Sequence, residues 1–357
     1  MKLRRPLLAV LLLLLLMATS AWLARTQISL AIAARVVRTH LGQDLASQLP
    51  DGLHLGLCGA GSPFPDDLRS GPCTVVLAGK RLFVFDAGAG AARNIGKLGF
   101  LAGQIDGIFL THFHSDHIDG LGELMLQRWV QAGHTAAVLV AGPEGVERVV
   151  DGFNQAYALD RGYRVEHHGE ATVPSAGFGA TARPFKSEQL TVVLQEGDLE
   201  ISAFPVQHDP AHPAVGYKVR YKDRSLVLSG DTRQSETVLA AARGADLLVH
   251  EALSAPMVDV IRDGAQASGR TRMVKLFEDI KDYHASPVEA AETAREAGVR
   301  YLLLNHIVPT IPPLPGLEEH FLGEAPRVFA GPVRLGRDGD FLSLPTGSQA
   351  VLASRRF

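Results

Sequence analysis

The segment FLTHFHSDHIDG, residues 109–120, constrains this chain more than any other feature. An apolar run, 107–111, reads as a strand and leads straight into His112, His114, Asp116 and His117. In an extended strand end, His112 and His114 point to the same side. A turn at Ser115 brings Asp116 and His117 back towards that point. Without a cation, so many imidazoles at the end of an apolar strand would leave donors and acceptors unpaired. Imidazole and carboxylate are good ligands for a divalent metal, which resolves the conflict. One cluster does not fill two metal sites, so further ligands must come from other strand ends. His208 lies four residues past a strand ending at Phe204, Asp231 sits in the turn after the strand 225–228, and His306 follows the strand 302–304. Each alone reads as a surface or capping residue; the set is more persuasive than its members.

The rest of the body alternates short apolar runs with helical patterns. Strands are expected at 53–58, 74–77, 81–85, 107–111, 137–141, 190–194, 199–204, 215–221, 225–228, 246–250, 300–304, 333–335 and 341–344. Helices are expected at 89–98, 120–131, 143–159, 236–243 and 287–297, with a longer helical insert over 257–282. The helix at 287–297 is the best signalled: Ser286 and Glu289 form a capping box, Pro287 takes the first turn and Gly298 stops it. Residues 160–190 read as an irregular surface excursion. The mixture, without strict strand–helix alternation, suggests two mixed sheets with helices outside.

Residues 7–24 are uncharged and apolar between Pro6 and Arg25. Eighteen helical residues span about 27 Å, enough for a hydrocarbon core. The basic flank Lys2-Arg4-Arg5 would stay cytoplasmic, so residues 1–25 read as a membrane anchor or as a cleaved signal sequence, and either exports the body. Residues 26–50 read as an amphipathic helical stalk, 51–346 as the catalytic domain and 347–357 as a tail. In the exported compartment Cys58 and Cys73 are either a disulfide or two buried thiols. The formal net charge is −3; without the four positive charges of residues 1–25 the body has 31 basic against 38 acidic residues, or −7. An acidic body argues against a protein that grips nucleic-acid phosphates, so no nucleic acid is expected as a partner.

Further pieces give these residues a family. They are Gly59-Ala60-Gly61-Ser62-Pro63, Phe85-Asp86-Ala87-Gly88, the H-x-H-x-D-H run, Pro205-Val206-Gln207-His208 and Ser229-Gly230-Asp231-Thr232-Arg233. His250-Glu251-Ala252, Tyr283-His284-Ala285-Ser286-Pro287 and Leu304-Asn305-His306 complete the series. In this order they resemble the metallo-β-lactamase superfamily, and within it the ribonuclease Z-like branch that includes alkyl- and arylsulfatases. The resemblance spans residues 53–310 and implies an αββα sandwich, here preceded by an N-terminal transmembrane helix. It implies two divalent metal ions, zinc by ligand type, with manganese or iron as other candidates. His112, His114 and His208 would hold the first, Asp116, His117 and His306 the second, and Asp231 would bridge them beside a shared hydroxide. Asp116 would orient the nucleophile, and His284 would donate a proton to the leaving group. Asp86 is expected to fix a turn near the site or to stand behind the ligands without being one, and His250-Glu251 to support the ligand loops. His167-His168 has no assigned role.

TRNA-processing members carry a long arm between their matches to His208 and Asp231; here the two are 23 positions apart, with two strands filling the space. The segments 142–143, 158–161, 282–287 and 305–309 look like the sulfatase-like members. The expected function is therefore a membrane-anchored binuclear hydrolase of a small sulfate or phosphate ester. A lactonase or β-lactamase-type hydrolase and a non-catalytic metal-binding protein are the alternatives. A homodimer is left open.

Overall fold

In a computed structural model the structure describes residues 4–41 and 44–357. Lys2 of the basic flank, the side chains of Arg4, Arg5 and His40, and residues 42–43 of the expected stalk lie outside the described residues. The chain divides into two units, Met1–Leu45 and Ala46–Phe357. The first holds two helices, Arg4–Leu23 and Arg25–Leu41. The stretch Pro6–Leu23 is long and apolar enough to cross a membrane, a test that a signal sequence also passes.

The second unit opens with β1 (Gly52–Gly59), β2 (Cys73–Ala78), β3 (Arg81–Phe85), β4 (Ile105–Phe109), β5 (Val138–Pro143) and β6 (Ala180–Phe185). A second sheet follows with β7 (Thr191–Glu196), β8 (Leu199–Pro205), β9 (Val215–Tyr221), β10 (Arg224–Leu228), β11 (Leu247–Leu253), β12 (Tyr301–Val308) and β13 (Val333–Leu335). The chain then returns to the first sheet with β14 (Asp340–Pro345) and β15 (Leu352–Arg355). The strand orders are β15-β14-β1-β2-β3-β4-β5-β6 and β13-β12-β11-β10-β9-β8-β7. Both sheets mix parallel and antiparallel pairs.

Alternation along the strands divides the core into layers. Leu53, Leu55 and Leu57 of β1 meet Val249 of β11 and Leu303 of β12 between the sheets. Leu248 and Leu302 face the other way, under the helices Glu236–Ala242 and Pro287–Ala297. Because both faces are covered, β1 and β11 are buried along their whole length, which explains their near-continuous apolar sequences. Phe85 of β3, Phe109 of β4 and Tyr217 of β9 form a cluster across the layers, with Phe85 and Phe109 stacked at 5.2 Å.

Two segments differ from expectation. Residues 160–190 are not irregular: a helix runs over Ala158–His168, and β6 pairs parallel with β5. The helix buries no residue, so it has no apolar stripe to read, and β6 is an edge strand carrying Arg183 and Pro184. The last residues also carry β15, an exposed edge strand paired antiparallel with β14.

Candidate metal centre

The site lies where β4, β8, β10, β11 and β12 end. The buried Phe109 fixes the end of β4, and the Tyr217 hydroxyl donates to the Leu110 carbonyl at 2.6 Å. The chain beyond carries His112 and His114, then a single helical turn, Ser115–Ile118, that buries Asp116 and His117. Gly88 allows this turn to pack backbone to backbone: a Cβ there would fall 2.4 Å from the Asp116 carbonyl oxygen. Asp86, at φ 56°, accepts from the Thr111 backbone N–H at 2.8 Å and lies 2.9 Å from His117 Nδ1. It thus fixes both the turn and the ring of His117, as expected.

His306 is placed by a bulge. β11 and β12 pair Glu251 with Asn305 and Ala252 with Ile307, so His306 is the extra residue, at φ 42°. Strict alternation would put it on the face of Leu302 and Leu304, under the helices; the bulge turns it into the site.

Asp231 is the hub. Its Oδ2 lies 3.1 Å from His306 Nε2, 3.3 Å from His117 Nε2, 3.8 Å from His208 Nε2 and 3.9 Å from His112 Nε2. Gly230 before it, at φ 62°, lets the turn pass the Val215 carbonyl, where a Cβ would fall 2.5 Å from the oxygen. His114 Nδ1 completes one side, 3.0 Å from His112 Nε2 and 3.2 Å from His208 Nε2. Asp116 Oδ2 completes the other, 3.3 Å from His306 Nε2 and 3.6 Å from His117 Nε2. All seven residues expected as ligands therefore converge. Among the described residues they supply two groups able to hold a metal, His112-His114-His208-Asp231 and Asp116-His117-His306; a third, Asp231-His284-His306, also includes His284.

The donor chemistry fits divalent cations. The second ring nitrogens of His112, His117 and His208 are engaged by Thr111 Oγ1, Asp86 and the Tyr283 carbonyl, leaving their Nε2 atoms facing inward. His117 Nε2 is buried with no hydrogen-bond partner. Burial, reinforced by neighbouring imidazoles, holds His112 well below its ordinary pKa, and burial also lowers His114 and His208. These rings are thus neutral, the form that ligates. Burial also presses down on His117, but Asp231 and Asp86 outweigh it and hold that ring well above its usual value. Two carboxylates drawing a proton onto a buried imidazole mark a place where positive charge is wanted, and a metal ion supplies it. Asp231 stays ionised well below the ordinary carboxylate range: burial opposes this, and His306 and His117 overcome it.

His284 stands beside the hub. Its Nδ1 lies 3.0 Å from Glu251 Oε1, which also accepts from the Ala285 and Thr232 backbone N–H groups at 3.0 and 3.2 Å. Burial lowers the pKa of His284, but the Glu251 charge and hydrogen bond raise it overall. Glu251 therefore supports the site directly, whereas His250 is buried with its Nδ1 on the Glu251 carbonyl and belongs to neither ligand group. His167 and His168 lie exposed on the helix Ala158–His168 and also belong to neither. A cleft of about 420 Å³ opens over Asp116, Asp231, His284 and His306 and is walled by Phe64, Leu276, Ile280 and Tyr283. Sequence reasoning assigned none of these wall residues a role; the available signals were the helical insert that carries Leu276 and Ile280 and the motif that contains Tyr283. Cys58 and Cys73 are bridged and close the loop that carries Phe64.

Comparison with known proteins agrees with this geometry. The metallo-beta-lactamase superfamily matches residues 66–262. Ribonuclease Z of Mycolicibacterium gilvum is 34% identical over 290 residues, covering 80% of this chain and 94% of that protein. Ribonuclease Z of Mycobacterium sp. (strain KMS) is 35% identical over 289 residues, with 80% and 94% covered. Among solved structures, the short form of human tRNase Z aligns with a TM-score of 0.58 at 21% identity, covering 82% of this chain and 99% of that one. The metallo-beta-lactamase fold protein YhfI of Bacillus subtilis gives 0.57 at 20%, covering 82% and 100%.

These relatives overturn the expectation that nucleic acid is no partner, because they are named as ribonucleases. The body charge of −7 was the wrong guide: it averages a whole surface, whereas cations held at the ligand cluster would set the local field. The relatives lend no support to a placement nearest the arylsulfatases. The chain belongs to the metallo-beta-lactamase superfamily, as a metal-dependent hydrolase with ribonuclease Z homologues.

Proposed function

We propose that this chain is a two-metal phosphodiesterase whose body works outside the cytoplasm. The observation that carries the reading is Asp231 Oδ2, within 3.9 Å of four imidazole nitrogens, with His284 beside it at the floor of an open cleft. Divalent ions, if bound by the two groups, would supply Lewis acidity and make a nearby water easier to deprotonate near neutral pH. A phosphodiester in the cleft places its non-bridging oxygens towards the ligand cluster. Asp116, at the cleft floor, orients the attacking water and accepts its proton. His284 spends Nδ1 on Glu251, which leaves Nε2 to protonate the departing oxygen. The raised pKa keeps that proton in place near neutrality.

The cleft volume, and the 23-residue path from His208 to Asp231 taken up by β9 and β10, favour a small diester or a strand end over a broad duplex face. The same groups accept a sulfate ester, so aryl sulfates belong in the test. Location outside the cytoplasm is supported by the apolar helix and by the Cys58–Cys73 bridge, a bond that persists in oxidising compartments.

The experiment is a substrate panel on metal-loaded protein and its Asp116→Asn variant. The panel holds bis(4-nitrophenyl) phosphate, 4-nitrophenyl sulfate, a lactone and an RNA with a 3′ extension. Metal-dependent cleavage of the diester or the RNA, lost in the variant, supports the reading. Cleavage of the sulfate or lactone alone overturns it, and bound metal with no turnover favours a binding protein.

A further inference from the structure

The cleft is lined by two unlike sets of groups. One is the ligand cluster with His284; the other is apolar, Phe64, Leu276, Ile280 and Val308, of which Phe64, Ile280 and Val308 belong to one packed cluster. No lysine or arginine is among the described lining residues, so an anionic substrate meets cationic groups only at the metal cluster and at His284. Leu276 is half exposed although it borders a polar site, and Phe64, in the same lining, is half-buried. An apolar side chain left open at a cleft rim, backed by a packed layer, is a surface waiting for an apolar partner.

That layer is firm. The Phe64 ring stacks on Phe277 at 5.8 Å with 18° between the planes, and Phe277 packs with Val258 and Ile280 in a small core of its own. The two halves of the wall come from different stretches of chain. Phe64 rides on the loop closed by Cys58–Cys73, and Leu276 lies on the helix Thr271–Asp279. Their separation is therefore set by the fold and not by one flexible segment.

We infer that the substrate carries a flat aromatic group beside its scissile phosphorus, seated against Phe64, Leu276 and Ile280. The inference rests on the phosphodiesterase reading and names the substrate class. An aryl ester and a nucleotide both present such a group, because every nucleobase has a π-face that stacks on apolar and aromatic side chains. The phosphoryl head faces the ligand cluster while the ring covers the wall.

The test measures binding by calorimetry on the zinc-loaded full chain, with phenylphosphonate against methylphosphonate, which share one head group. Phenylphosphonate is expected to bind about tenfold more tightly, a difference in keeping with one aromatic ring seated on an apolar surface. Leu276→Ser, at a half-exposed position, is expected to cut that ratio severalfold, and Phe64→Ala to do the same. Equal affinities in the wild type, or a ratio untouched by both substitutions, overturn the inference. Thymidine 5′-phosphate against ribose 5-phosphate separates the two sources. A gain for the nucleotide identifies the ring as a base; no gain, with the phenyl preference intact, identifies it as an aryl group. Because binding is read, absence of turnover counts against the phosphodiesterase reading alone.

Discussion

His284 Nδ1 and Glu251 Oε1 lie 3.0 Å apart, and the same carboxylate oxygen accepts two backbone N–H groups. Glu251 is thus fixed before His284 meets it, and the imidazole inherits both an orientation and a raised pKa. The group proposed to give the proton is held by a buried charge, not by solvent.

Replacing that charge tests the arrangement. Glu251→Gln should lower kcat about 10- to 100-fold, the range seen when a partner that orients a functional histidine is lost. The pH profile should move as well. Activity that needs protonated His284 is present below its raised pKa and lost above it; with the charge removed, the loss begins at lower pH. A kcat–pH series with metal content measured alongside checks this, and metal should stay at the wild-type level.

Asp231 is expected to act on both metal groups at once, since its Oδ2 faces nitrogens from each. Asp231→Ala should reduce bound metal from two ions towards none and lower turnover more than about 100-fold, beyond what loss of a supporting partner alone produces. Elemental analysis after gel filtration reads the first effect and steady-state assay the second.

Acid should weaken the metal-free protein. His112, His114 and His208 have folded pKa values below the unfolded value of about 6.5, so the unfolded chain binds more protons as pH falls past that point. His117 is shifted upward; its contribution is complete below 6.5 and is lost only at higher pH, so it does not oppose the trend in that window. Urea midpoints of chelated protein should therefore fall from pH 6.5 to pH 5. Bound metal should blunt the fall until the ligands protonate and release it.

The Cys58–Cys73 bridge closes a loop of 15 residues. Replacing both cysteines by serine should lower stability by about 3 kcal/mol, the value expected for a loop of that length. Denaturant titration of variant and wild type under non-reducing conditions measures it.

The candidate ligands were legible because each stands just beyond an apolar run that reads as a strand. H-x-H-x-D-H announced itself, and the motif order tied His208, Asp231 and His306 to it. What escaped detection depended on surfaces. The helix Ala158–His168 buries nothing and so shows no apolar period. Phe64 and Leu276 line the same cleft from distant parts of the chain, and no local pattern links them. Charge misled for a similar reason: a sum over the body carries no information about one cleft.

The bulge at His306 makes ligand placement a matter of parity. Neighbouring residues in β12 are committed to opposite layers, Leu303 to the space between the sheets and Leu304 to the helix-covered side. One additional residue reverses that commitment for everything beyond it. A deletion at Ile307 would leave the composition almost untouched and keep every candidate ligand in the sequence. It would nonetheless restore the regular ladder and send the histidine into the oily layer beneath the helices. In this strand, losing the count is equivalent to losing the residue, so a deletion that removes the bulge just after His306 should be as damaging as substitution of His306 itself.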